Sequence, residues 1–321
     1  MTRRIVWIIL FLVVTPTALF LLRGFGLEGG DSGFLDPYVK LNWQYYVRAP
    51  LLMAVYQSAW KLVGGYGWSV SDIIALSSSI AGGVFIAGVI ALSKDPRVWL
   101  IMLVSKTSFI YLGHVENYAW PYALSVWCFA LARRCEESGG KSWPVWAVAT
   151  LGVFCHPMTL MIWPGLLWAF PPTCRKSQME PLIATIVVVG VTVFFQAFGN
   201  YSGFFQPSWI LPLFEIGDSA ADYTLFSWAH WSQLLWFYLF SLPIGAALLL
   251  WKGWRVWAGW RGGLMMTVLV TLAWSVVWNP TLGTADWDLF GWPSVFVNMA
   301  GGLALAVGSG DGIADDAERT E

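Results

Sequence analysis

Apolar runs separated by short polar breaks recur along almost the whole chain. The first covers residues 5–22 and follows Arg3 and Arg4. It is longer than the core of a cleaved leader and has no small-x-small site after it, so it reads as a retained membrane anchor. A polar stretch at about 23–68 follows, with an amphipathic segment PLLMAVYQSAWKLV inside it. Further runs lie at 69–92, 98–113, 117–132, 143–155, 158–170, 182–198, 234–251, 264–278 and 294–308.

These runs are continuously apolar rather than alternating, which in hydrocarbon means helices and not the strands of a barrel. The pattern therefore predicts an all-α polytopic membrane protein with about ten transmembrane helices, several shorter than the usual ~20 residues. Residues 1–308 read as a single transmembrane helical domain with outer loops at about 23–68, 199–233 and 279–293. Residues 309–321 read as a disordered, acidic, cytoplasmic tail.

Composition agrees with the pattern. The chain is 57% hydrophobic and 12% charged, where a soluble domain carries about 25% charged residues. A net charge of -1 offers no basic face for nucleic acid. The four cysteines have no metal-like spacing and read as ordinary thiols.

Charge then orients the bundle. With the N-terminus inside and each run crossing once, the inner loops hold Arg3, Arg4, Lys94, Arg97, Arg133, Arg134, Lys141, Arg175, Lys176, Lys252, Arg255 and Arg261. The outer loops hold Arg23, Lys40, Arg48 and Lys61. That bias places both termini in the cytoplasm.

Under this topology the acids and histidines sort to the outer face. Asp31 and Asp36 fall in the first outer loop, His114, Glu116 and Asn117 in the break HVEN, and His156 before Pro157. His230 falls in the loop 199–233, and Asp286 and Asp288 in DWDLF. Titratable groups gathered at one face of a bundle mark a candidate site. A plainer reading stands beside it: outer loops need polar residues merely to be loops. HVEN reads equally as a buried His–Glu cap, His156-Pro157 as a helix break, and DWDLF as an interfacial belt.

A short first span, a large outer loop with acids near its start, and a many-helix bundle hinged at its outer face resemble the GT-C superfamily of membrane glycosyltransferases. The stretches that carry the resemblance are GLEGGDSGFLDPY (26–38), YLGHVENYAWPYALSVWCFALARR (111–134), GVFCHPMTLMIWPGLL (152–167) and DWDLF (286–290). The resemblance implies a sugar donor on a polyprenyl phosphate, with Asp31 as the catalytic acid of the first loop and Asp36 in reserve. Beside these acids, His114, Glu116, Asn117, His156, Asp286, Asp288, Lys40, Arg48 and His230 are the candidate substrate-binding residues, with Arg48, Lys40 and the histidines available to steady the leaving phosphate.

The chain departs from the pattern in two ways. It carries no soluble domain after the bundle, which leaves that place to a partner protein, and Asp31 and Asp36 are not a tight pair. Acids and histidines of these kinds also ligate divalent metals, though no spacing among them demands one. Two other classes compete: a transporter or flippase for a lipid-linked sugar, and a non-catalytic subunit of a larger membrane complex.

Overall fold

The structure, a computed structural model, describes residues 6–7, 9–25, 32–41, 49–170, 175–198, 210–214, 223–279 and 287–307. The described residues are helical apart from short connections and one isolated bridge between Ile210 and Trp278. In chain order the helices are α1 (Leu10–Leu21), α2 (Ser32–Lys40), α3 (Pro50–Val63), α4 (Val70–Leu92), α5 (Pro96–Val104), α6 (Ala119–Ser138) and α7 (Trp143–Cys155). Then come α8 (Trp163–Ala169), α9 (Arg175–Phe198), α10 (Trp228–Ser241), α11 (Pro243–Lys252), α12 (Gly259–Val277), α13 (Trp287–Phe290) and α14 (Trp292–Ala306). Single tight turns at Lys106–Tyr111 and Pro157–Ile162 follow α5 and α7.

Among the described residues, three helices are long and apolar enough to cross a membrane: Val70–Leu92, Gly259–Val277 and Trp287–Ala306. The pair Trp228–Ser241 and Pro243–Val256 makes a fourth if its 88° bend is counted within one span. The runs at 117–132 and 182–198 correspond to α6 and α9, and the rest fold as shorter helices or as helix-and-turn pairs. The run at 234–251, expected as one segment, is broken instead. Pro243 lacks the N–H that would continue α10 and starts α11 in its place. The stretch 23–68, expected as a loop with one amphipathic segment, holds α2 as well as α3.

Local signals set several boundaries. The Ser69 hydroxyl accepts from the Asp72 N–H at 3.0 Å, and the Asp72 carboxylate accepts from the Ser69 N–H at 3.2 Å, a reciprocal cap at the start of α4. Asp95 caps α5 by accepting from the Arg97 N–H at 2.8 Å, with Pro96 in the first turn. At the other extreme, α8 and α12 approach so closely that a Cβ on Gly165 or Gly263 would collide with the backbone of the other helix. Small residues at such crossings let membrane helices pack without lipid between them.

Six contacts give the direction of the bundle. The indoles of Trp120 and Trp127 donate to Ser77 Oγ (2.9 Å) and the Val84 carbonyl (2.8 Å), and Arg133 donates to the Leu92 carbonyl (2.6 Å). So α4 and α6 run parallel along their length. Trp292 meets Tyr122 and Phe296 meets Phe129, so α14 runs the same way. The Trp260 N–H donates to Glu136 near the end of α6, so α12 runs back. One end of the bundle therefore carries the starts of α4, α6 and α14. The opposite end carries Lys94, Arg97, Arg133, Lys141 and Arg261, the same residues the charge bias puts inside.

A second small core closes the first end. Leu35, Val39, Leu52, Met53 and Tyr56 of α2 and α3 pack on Ile73, Ile74 and Leu124, with Val115 of the HVEN break against them. This lays the two outer helices beside the polar break.

Candidate functional site

The HVEN break is set by Gly113, whose φ of 75° turns the chain out of Lys106–Tyr111. A Cβ there would also meet Arg23, so glycine is required twice over. The turn swings His114 inward, and the Ser78 hydroxyl holds its carbonyl at 2.7 Å. On the other side, the short helix α13 precedes α14 and presents Asp288.

His114 Nε2 lies 2.9 Å from Asp288 Oδ2, and both side chains are about as buried as any in the protein, at 2% and 1% exposure. The Asp288 carboxylate also accepts from the Leu289 N–H at 2.9 Å, and the Tyr122 hydroxyl donates to the Asp288 carbonyl. The ring of Trp287 sits 5.1 Å from that of His114. The contact between Nε2 and the carboxylate fixes the orientation of the ring. An imidazole fixed this way is oriented for proton transfer or for an anionic ligand.

Glu116 and Asn117 are buried beside the pair on the same break. Burial pushes the Tyr56 phenol above its ordinary range, and the nearby Cys155 and Glu116 add to the rise against a hydrogen bond from Ser77. The Asn117 side-chain oxygen and the Trp287 indole N–H are buried with no hydrogen-bond partner among the described residues. A buried polar atom left unpaired costs about 1–3 kcal/mol. Two such atoms near the hydrogen-bonded pair mark a place that water or a ligand group completes.

His156 stands at the edge of this cluster. Its backbone is extended at the break between α7 and Pro157–Ile162, its Nδ1 accepts from the Met158 N–H at 3.2 Å, and its ring meets Tyr118 at 5.1 Å. It is thus both helix break and neighbour of the site.

Other expected members lie elsewhere. His230 is not in a loop. It occupies the first turn of α10, which starts at Trp228, six residues before the expected 234, with its N–H accepted by the Ser227 hydroxyl and its Nε2 2.8 Å from the Val276 carbonyl. That bond ties α10 to α12. Asp36 is on α2, paired with Lys40 at 2.9 Å across one helical turn, and both are well exposed. Asp31, Arg48 and Asp286 lie outside the described residues. Among the described residues, no group of three or more His, Cys, Asp or Glu is placed to hold a metal.

Sequence reasoning gave Tyr122 and Ser78 no part, since nothing local marks a tyrosine or serine in an apolar helix as a second support for the site. Lys106 falls within the apolar run 98–113, where a lysine needs a polar cavity or a partner; its ammonium faces three aromatic rings. Comparison of the chain with known families, curated proteins and solved structures finds no match.

Proposed function

We propose that the chain is a membrane glycosyltransferase of the GT-C kind. It moves a sugar from a polyprenyl phosphate to an acceptor at the end of the bundle that carries His114 and Asp288. The observation that supports this reading most is the meeting of HVEN and DWDLF, the two polar breaks that also carry the resemblance, as one buried pair at the end opposite the basic residues. In the same reading the shorter helices complete about ten crossings, with the N- and C-termini cytoplasmic and the site extracytoplasmic.

In the transfer, an acceptor oxygen attacks the anomeric carbon, the bond from that carbon to the phosphate oxygen breaks, and polyprenyl phosphate leaves with the electron pair. Asp31, or Asp36 in its place, takes the acceptor proton. His114, oriented by Asp288, and Asn117 bind the sugar or its acceptor, with Glu116 beside them. Arg48 supplies positive charge toward the phosphate, with His156 at the edge of the cluster.

A second reading has its own support. The break between α10 and α11 lies beside Lys106, and carriers place substrate sites at interrupted helices near mid-membrane. Protein reconstituted in liposomes with a panel of polyprenyl-phosphate sugars separates the two. Release of polyprenyl phosphate that Asp31→Asn abolishes and Asp288→Asn impairs supports transfer. Movement of the intact lipid-linked sugar across the bilayer, with no bond cleaved, replaces transfer by transport.

A further inference from the structure

Lys106 comes directly after the end of α5 and opens the turn Lys106–Tyr111. Its ammonium lies 4.4 Å from the ring centre of Trp236, 5.0 Å from Phe240 and 5.3 Å from Trp287. Phe240 precedes the 88° bend between α10 and α11. The two interruptions are stitched together: the Ser105 hydroxyl donates to the Ser241 carbonyl at 2.8 Å, and the Asn298 amide donates to the same oxygen at 3.0 Å. The backbone oxygen nearest the bend is therefore already satisfied, and the cation is held where two helices break.

Among the described residues, no carboxylate lies within ion-pair distance of Lys106. Aromatic faces attract an ammonium, by about 0.5–2 kcal/mol, but they leave its N–H groups without acceptors. A half-buried lysine in an apolar setting needs an anion as well. Phe109, Leu239 and Phe240, on the same turn and helix, are exposed. The outer wall here is apolar, so in a membrane it faces acyl or isoprenyl chains.

We propose that Lys106 is the phosphate-binding group of a lipid subsite, with Trp236 and Trp287 behind the ammonium and the lipid chain along Phe109, Leu239 and Phe240. A lysine ammonium is a compact charge suited to phosphate. Trp287 joins this subsite to the polar pair, since it touches Lys106 on one side and His114 on the other and precedes Asp288. The inference rests on the membrane reading and not on sugar transfer, so it stands or falls by binding alone.

The probes are farnesyl phosphate, farnesol and inorganic phosphate, added to purified full-length protein in detergent and followed by tryptophan fluorescence. Farnesyl phosphate saturates the site, farnesol does not, and inorganic phosphate competes only weakly. Lys106→Gln weakens farnesyl phosphate about 10- to 100-fold, the loss of one charge-assisted hydrogen bond, and Lys106→Arg retains most of it. On the unmutated protein, farnesyl phosphate slows acylation of Lys106 by acetic anhydride, read by mass spectrometry of the peptide, so the test does not depend on a variant folding. Equal affinity in Lys106→Gln, or acylation of Lys106 unchanged by the probe, overturns the proposal. Inorganic phosphate as strong as farnesyl phosphate overturns the lipid assignment. A Lys106 already shielded without probe, and exposed by Asp286→Asn, identifies an internal ion pair and overturns it too.

Discussion

His114 and Asp288, 174 positions apart, form a hydrogen-bonded pair with almost no solvent exposure. Breaking a buried pair from one side strands the other group, at about 3–5 kcal/mol. Asp288→Ala is therefore expected to lower the thermal midpoint sharply. Asp288→Asn keeps an oxygen for the His114 N–H and is expected to cost much less. Thermal unfolding in detergent, followed by light scattering or intrinsic fluorescence, measures both. Equal midpoints for the two variants would show that the pair does not hold the break in place.

The small-residue crossing of α8 and α12 gives a contrast between two glycines. A side chain on Gly263 meets the Gly165 carbonyl and Ala169, and overpacking costs about 1–3 kcal/mol or more where backbone is the obstacle. Gly263→Val is expected to reduce the yield of folded protein and lower its midpoint. Gly190, inside α9, has nothing within 4 Å of its virtual Cβ, and Ala in a helix is better than Gly by about 1 kcal/mol. Gly190→Ala is expected to be neutral or stabilising. Size-exclusion profiles of the two variants, compared at equal expression, decide the matter.

How much of this was legible beforehand differs between fold and site. Every apolar run from 69 onward overlaps a helix, because in hydrocarbon a continuous run has no other way to satisfy its backbone. The bend at Pro243 was written in the sequence too, but the run on both sides of it remained apolar and hid it. The early start of α10 had a local signal in Ser227, a residue type favoured at a helix cap. For the site, HVEN and DWDLF stood out as polar breaks. Which acid faces His114 was not readable, because the pairing depends on α6 and α14 running parallel. The ring cage of Lys106 depends on α10 and α13, and no spacing along the chain encodes it.

Topology yields to labelling. In a background lacking Cys128, Cys135, Cys155 and Cys174, cysteine at Ser202 or Thr284 is expected to react with an impermeant maleimide on intact cells. Cysteine at Ser138, which follows Arg133 and Arg134 at the basic end of α6, is expected to react only after the membrane is opened. The reverse pattern would put His114 and Asp288 on the cytoplasmic side and remove the extracytoplasmic site.

The proposed chemistry makes its sharpest claim at Asp31. Asp31→Asn keeps size and much of the hydrogen bonding but cannot take a proton. General-base contributions are typically ~100- to 10,000-fold, so sugar transfer is expected to fall by that factor while membrane insertion stays close to normal. Glu28→Gln, in the same outer stretch, serves as the control and is expected to be nearly silent. Asp288→Asn is expected to impair transfer as well, through a loosened His114 rather than a lost base. Its loss should thus include weaker substrate binding, whereas Asp31→Asn should lower kcat with KM little changed. Asp36 provides the internal check. It is exposed and already paired with Lys40, so Asp36→Asn should cost far less than Asp31→Asn. If transfer survives Asp31→Asn but fails in Asp36→Asn, the base is Asp36 and Lys40 must release it in the working enzyme. If both variants turn over at the wild-type rate, no first-loop carboxylate acts as the base, and transport becomes the better account of the same fold.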